Sequence, residues 1–407
     1  MSQADSVVRV DVPEQPGVQY PLHIGRGLLP RLGPLTRAAV GERSSQVMLV
    51  ADRNLPTAAV ASATLSLEAA GFMVVAADVE ATERDKSLDA ATRLLQQLAH
   101  ARAERGDPIV ALGGGVTGDL AGFVAASYKR GIPIVQIPTP LLAMVDASIG
   151  GKVAVNLDTD LGLLKNAVGA FHHPKLVLID VETLESLPAR HVAAGLCECL
   201  KHGLLSAGFN TETNLFAWTV AHLERLQQLD FNYLVELVTR NARVKAAVVR
   251  ADPNELSTSP HRSRAILNLG HTFAHAIETI DGLSPRNEPR HAEFGAPLVH
   301  GEAVGIGLVA AAHAAAELRR VTPDHARDIR DAVESLGIHT RLASLPPQAE
   351  LRERMMHDKK TIGGRLRLVL PTTSLIPATP DAALGVATVV ENPPESTVVT
   401  GLDAIRA

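Results

Sequence analysis

The sequence predicts an α/β N-terminal domain, a parallel sheet covered by helices, followed by an all-α C-terminal domain. Three observations carry this. Short β-rich runs alternate with amphipathic stretches as far as about residue 188. Helical periodicity takes over beyond Pro188. The glycine-rich segment GGGVTGD (113–119) stands between a strong strand and a helix-like run, where an α/β chain must turn tightly. The division is 1–188 for the α/β domain, 189–372 for the helical domain, and 373–407 for a tail without assigned chemistry.

In chain order, the strand signals are VMLVA (47–51), FMVVAADV (72–79), PIVALGG (108–114), IPIVQIP (132–138) and LVLID (176–180). Their near-continuous apolar character suits strands buried on both faces. Between the first two, PTAAVASATLSLEAAG begins with Pro56 and ends with Gly71, as a helix between strands does. Helical patterns then run over 189–206, 213–229, 231–251, 263–280, 301–320 and 323–336. The polar stretches 252–263 and 284–297, rich in Pro, Ser and charge, read as exposed loops. RLRLVLP (365–371) is strand-like, and the Pro- and Thr-rich tail beyond it shows little periodicity.

The 407 residues, 46% hydrophobic and 20% charged, suffice for a sizeable core in two domains. A net charge of −5, with no local run of Lys and Arg, argues against a nucleic-acid partner. The N-terminus has neither a basic start nor an apolar signal core, and no apolar run is long enough for a membrane span, so a soluble cytoplasmic protein is expected. The two cysteines, Cys197 and Cys199, are too close for an ordinary disulfide and read as reduced core residues.

Two segments carry chemistry. The glycines of GGGVTGD can bring backbone N–H groups up to a pyrophosphate, although tight strand–helix turns use glycine for packing too. Asp52, at the carboxyl end of VMLVA, can accept from ribose hydroxyls or simply cap a turn. In HTFAH, His271 and His275 fall at i and i+4 on one helix face, a spacing that fits two ligands, a ligand and an acid/base group, or two partly buried histidines. No Glu follows His271, which excludes a zincin metalloprotease. With Glu198 in LCECLKHG and His300 opening HGEAVGIG, a Glu and two His from three helices make a three-ligand set with open positions, the pattern of a catalytic zinc site.

Taken together, TERDKS (82–87), VALGGGVTGDLAGFVAASYKRG (110–131), VDASIGGKVAVN (145–156), KNAVGAFHHP (165–174), GLCECLKHG (195–203), RAILNLGHTFAHAIE (264–278), HGEAVGIG (300–307) and DKKTIGG (358–364) closely resemble the 3-dehydroquinate synthases, members of the sugar-phosphate cyclase superfamily. The resemblance implies a Rossmann-like N-terminal domain binding NAD, a helical domain holding Zn2+ or Co2+, and a homodimer. It implies metal ligands Glu198, His271 and His300. It also implies NAD contacts from Asp52, Glu83, Lys86, Gly114, Gly115, Asp119, Thr139, Lys165 and Thr183. Asp146, Lys152, Asn166, Lys201 and His275 take catalytic roles. Lys245, Arg264, Asn268, Lys359 and Lys360 bind substrate, and Arg130 reaches the neighbouring subunit's site. The implied reaction turns 3-deoxy-D-arabino-heptulosonate 7-phosphate into 3-dehydroquinate and phosphate, with transient NAD reduction.

The chain departs from that pattern where Pro140 follows Thr139, offering neither hydroxyl nor N–H, and where GLLKN (162–166) spreads the usual GKN. Two other readings stand beside it. A metal-dependent polyol dehydrogenase of the same plan would release NADH, but has no need of the anion-binding set Lys152, Lys201, Arg264 and Asn268. A valiolone-type or aminocyclitol synthase would take a substrate without a carboxylate, leaving Arg264 without its partner.

Overall fold

The strand and helix signals resolve into the elements of a computed structural model, which describes residues 5–12, 19–160, 162–280, 283, 298–356, 365–373, 378–379 and 382–407. The chain opens with β1 (Ser6–Asp11), β2 (Gln19–Gly25), α1 (Leu32–Val40), β3 (Gln46–Asp52), α2 (Thr57–Ala69), β4 (Met73–Val79) and α3 (Leu88–His100). Next come β5 (Ile109–Gly113), α4 (Gly115–Ser127), β6 (Ile134–Pro138), β7 (Lys152–Thr159), β8 (Gly162–Phe171) and β9 (Leu176–Asp180). The helices α5 (Ala189–Gly203), α6 (Leu215–Ala221), α7 (Leu223–Gln227), α8 (Phe231–Ala251), α9 (His271–Glu278), α10 (His300–Glu317), α11 (Pro323–Glu334) and α12 (Gln348–Met356) follow. The chain closes with β10 (Arg367–Thr373), β11 (Leu384–Glu391) and α13 (Glu395–Ala404).

Two compact units result, one of Met1–Leu187 with Phe231–Arg250, the other of Pro188–Asp230 with Ala251–Ala407. In the first, seven strands pair in the order β1-β2-β9-β6-β5-β3-β4, all parallel except β1 with β2. Side chains alternate across the sheet, so Met48 and Val50 join the cluster under α3 and α4, whereas Val47 and Leu49 join that under α1 and α2. From β3 the chain runs outward to β4 and then returns to β5 on the other side, which makes the β3/β5 boundary the switch point of the sheet. Asp52 and Gly113 end those two strands, so the topology puts the nucleotide signals where open α/β sheets bind ligands.

The second unit is built around α10, buried from Gly301 through Ala312. Its Ala- and Gly-rich sequence leaves no polar face, as suits a helix enclosed by neighbours. α5, α9, α11 and α13 pack on it.

Several expectations need correction. The second unit is helical as expected, but not purely so: β10 pairs antiparallel with β11. Nor is 373–407 a tail apart, since β11 and α13 belong to this unit, with Gly401 of α13 set against Phe273 and the Ala310 carbonyl. Their signals are weak because β11 draws its stability from pairing with β10, and α13 from packing, rather than from propensity. α8 clusters with the first unit despite lying beyond residue 188. β7 and β8 form an unanticipated hairpin, in which β8 is exposed almost throughout and so lacks alternation. The helix expected over 263–280 is two elements, a 3-10 turn at Arg264–Asn268 and then α9, parted by Gly270 at φ +77°. In the polar stretch 252–263, Asp252 accepts from the backbone N–H groups of Leu256, Ser257 and Arg264, and the Pro260 carbonyl accepts from Val389. The stretch 284–297 and the DKKTIGG motif with Lys359 and Lys360 lie outside the described residues. Both cysteines are buried thiols outside any disulfide. Among the described residues no helix is long and apolar enough to cross a membrane.

Candidate active site

Glycines decide how the second unit assembles its polar centre. A Cβ on Gly301 would stand 2.2 Å from the Ala194 carbonyl of α5, and one on Gly307 would stand 2.3 Å from the Gly270 carbonyl ahead of α9. Backbone therefore meets backbone along α10. That contact brings Glu198 of α5, His271 of α9 and His300 of α10 together, each offering one donor atom within 4.8 Å of the others. His271 Nε2 lies 3.8 Å and His300 Nε2 3.7 Å from the same oxygen, Glu198 Oε1.

Each donor is oriented from behind. The Leu269 carbonyl lies 3.1 Å from His271 Nδ1 and Glu278 Oε2 lies 3.2 Å from His300 Nδ1, which turns both Nε2 atoms toward the carboxylate. Lys201, one turn along α5, sits 2.5 Å from Glu198 Oε2, and both side chains are almost wholly buried. Burial alone would depress the His300 pKa, but the Glu278 hydrogen bond and the Glu198 and Glu278 charges outweigh it and hold it above the ordinary imidazole value. At the start of α10, Arg190 donates from Nε and Nη2 to the two oxygens of Glu302, each at 2.7 Å, and ties that end to α5. Two imidazoles and one carboxylate are the donor set of a catalytic zinc site, and the three residues fit such an ion.

His275 stands one helical turn from His271, its ring centroid 5.6 Å from that of His271 and 6.1 Å from that of His300. Arg264 is buried, donating from Nη1 to the Pro253 carbonyl at 2.9 Å. Asn268 closes the turn that Arg264 opens.

The first unit gathers a second polar group. Lys86, buried, donates from Nζ to Asp119 Oδ2 and to Asn166 Oδ1, both at 2.5 Å. Burial pushes the Asp119 carboxyl up, and the neighbouring Lys86 ammonium opposes it. Asn156, which the sequence reading did not single out, joins these residues: its Nδ2 donates to Glu83 Oε2 at 2.8 Å, and its Oδ1 accepts from the Asn166 N–H at 2.8 Å. Asn166 holds φ +53°, and its neighbour Lys165 is exposed on β8. Gly114 caps α4 and Gly115 opens it; a Cβ on Gly113 would meet Thr117 Oγ1 at 2.7 Å and Asp52 Cβ at 3.1 Å. Asp52 accepts from the Asn54 N–H at 3.0 Å, a turn-capping contact. Thr183 donates to the Thr139 carbonyl at 3.2 Å, and both line a cavity of about 380 Å³ with Leu55 and Ala59. Lys245 of α8 pairs with Asp146, while Lys152 and Arg130 are exposed.

The sequence reading also missed Glu278 and the Arg190–Glu302 pair. Glu278 was detectable, since it falls at i+7 from His271 and i+3 from His275 on one face of α9.

Residues 76–194 match the model of the 3-dehydroquinate synthase N-terminal region and residues 195–361 that of the C-terminal region. The 3-dehydroquinate synthase of Desulforamulus reducens is 39% identical over 354 residues, 86% of this chain and 90% of that protein. Among solved structures, 2-deoxy-scyllo-inosose synthase complexed with carbaglucose-6-phosphate, NAD+ and Co2+ superposes with a TM-score of 0.76 at 23% identity, covering 98% of this chain and 99% of that one. The 2-epi-5-epi-valiolone synthase of Streptomyces hygroscopicus subsp. jinggangensis, with NAD+ and Zn2+ bound, gives 0.74 at 23% identity, covering 96% and 98%. At that identity the two structures speak for the fold alone. The sequence matches reach further: with two family models meeting end to end and relatives near 40% identity along most of its length, this chain belongs to the 3-dehydroquinate synthase family.

Proposed function

We propose that the chain is an NAD- and metal-dependent lyase that converts 3-deoxy-D-arabino-heptulosonate 7-phosphate into 3-dehydroquinate and phosphate, a step of the shikimate pathway leading to aromatic amino acids. The observation that carries the reading is the donor set Glu198, His271 and His300, with Lys201 on Glu198, in a member of this family. NAD, when bound, supplies hydride acceptance and return, and Zn2+ or Co2+ supplies polarisation of a substrate hydroxyl.

This chain's residues do the rest. Glu198, His271 and His300 hold the metal. Asp52, Glu83, Lys86, Gly114, Gly115, Asp119, Thr139, Lys165 and Thr183 hold NAD. The substrate's phosphate and carboxylate need cations, which Lys152, Lys201, Lys245 and Arg264 supply together with Lys359 and Lys360. Asn166 and Asn268 hydrogen-bond the substrate, Asp146 orients Lys245, and His275 moves a proton. The chain works as a cytoplasmic homodimer in which Arg130 serves the neighbouring subunit. Relatives near 40% identity carry the 3-dehydroquinate synthase name, which favours this substrate over those of the inosose and valiolone synthases at 23%.

The test is to incubate the purified protein with the heptulosonate phosphate, NAD+ and Zn2+. Phosphate and dehydroquinate should appear in equal amounts with no net NADH. Steady NADH formation from glycerol, with no phosphate released from the heptulosonate, would favour the dehydrogenase reading instead.

A further inference from the structure

We propose that Glu278 is a positioning residue: its carboxylate fixes the tautomer and rotation of His300 and so sets the affinity of the metal centre. The proposal rests on the metal reading above. Glu278 Oε2 lies 3.2 Å from His300 Nδ1, and on the far side of that ring Nε2 points at Glu198 Oε1, 3.7 Å away. A proton held on Nδ1 by the carboxylate leaves Nε2 as the donor, and the negative charge behind the ring raises its basicity. His271 obtains the same orientation from a backbone carbonyl of its own segment. For His300, the orienting group comes from 22 positions away in sequence.

The arrangement gives α9 two duties. His271 begins the helix and provides a donor directly, whereas Glu278 ends it and steers the donor of α10. His300 is the first residue of its helix, so it has no preceding turn of its own to restrict the side chain. His300 is also the more exposed of the two histidines, at 38% of its side chain against 11% for His271. A side chain with that freedom gains most from an external partner. The competing reading is that His275, Glu278 and His300, whose donor atoms also lie within 4.8 Å, form a separate cation site. A neutral imidazole cannot ligate through Nδ1 while that nitrogen carries the proton given to Glu278, which favours the positioning role.

The experiment is a Co2+ titration of the metal-stripped full-length protein against a competing chelator, with visible absorption to follow the site. Wild-type protein, Glu278→Ala and Glu278→Gln are compared, each with a thermal melt in the metal-free state. Wild type should take up one Co2+ per chain. Glu278→Ala should bind it about 10- to 100-fold more weakly. Glu278→Gln should fall between, because its amide oxygen still accepts but carries no charge, and it carries the test alone if the alanine variant does not fold. Metal-free melting temperatures should fall only slightly, by the loss of the Glu278–His300 contact, too little to account for the lost Co2+ affinity, which a merely structural role would not give.

Equal Co2+ affinity in wild type and Glu278→Gln, with the alanine variant either equal or unfolded, overturns the proposal. So does uptake of two Co2+ by wild type with only the second lost on substitution, since Glu278 would then be a ligand. A wild-type protein that takes up no Co2+ overturns the metal reading and the proposal with it.

Discussion

The two polar centres are finished in opposite ways. In the first unit, Lys86, Asp119, Asn166, Asn156 and Glu83 bond one another: the Lys86 ammonium lies 2.5 Å from a carboxylate and an amide oxygen, and the Asn156 amide joins Glu83 and Asn166 at 2.8 Å. In the second, the Nε2 atoms of His271 and His300 face Glu198 Oε1 at 3.8 and 3.7 Å, beyond hydrogen-bonding distance, while Lys201 holds the other oxygen. One centre is complete as folded protein. The other brings three donor atoms within 4.8 Å of one another, an arrangement that fits a cation. Under the proposed function, the first centre gives a rigid frame for a dinucleotide and the second a set of ligands whose geometry an ion would close.

Breaking the contrast at its strongest point gives the largest effect. His271→Ala should reduce kcat/KM by about a thousandfold or more, the scale of losing several kcal/mol of Lewis-acid stabilisation, while NAD+ affinity stays near wild type. Metal analysis and NAD+ titration check both halves; full activity with normal zinc content would undo the ligand assignment. The matching cut in the first unit is Lys86→Ala, which strands Asp119 without its counter-charge. It should destabilise the protein by about 3 to 5 kcal/mol in urea denaturation and weaken NAD+ binding, with zinc content unchanged. The smallest of the three is Gly301→Ala, which places a Cβ 2.2 Å from the Ala194 carbonyl. It should cost about 1 to 3 kcal/mol of stability and, unlike Lys86→Ala, lower zinc affinity by moving α10 off α5. Unaltered zinc affinity there would show that helix spacing does not set the donor geometry.

Much of this was legible in the residues. β3, β5, β6 and β9 are buried along almost their whole length and read as near-continuous apolar runs because both faces are covered, and such runs declare themselves. HTFAH, LCECLKHG and HGEAVGIG named the three donors before their convergence was visible. What escaped notice depends on partners outside the segment itself. β11 has meaning only beside β10, and Asn156 gains its role from Glu83 and Asn166. Glu278 sat in plain view inside HTFAHAIE, but its purpose appears only when His300 arrives from another helix. The break at Gly270 was hidden for a related reason. Periodicity ran through 263–280 without pause, and only contact with Gly307 requires the left-handed turn there.

The glycine contacts along α10 also set the ways in which this enzyme can change. Where helices meet through side chains, a series of small substitutions can shift their spacing by tenths of an ångström. Here carbonyl oxygens and α-carbons already touch, and no lateral adjustment of α10 toward α5 or the start of α9 remains. Under the proposed ligand set, altered preference among ions of different radius is therefore open to exchange of Glu198, His271 or His300, of groups such as Glu278 that aim them, or of a contact glycine that moves α10 outward, and closed to drift that draws the helices closer.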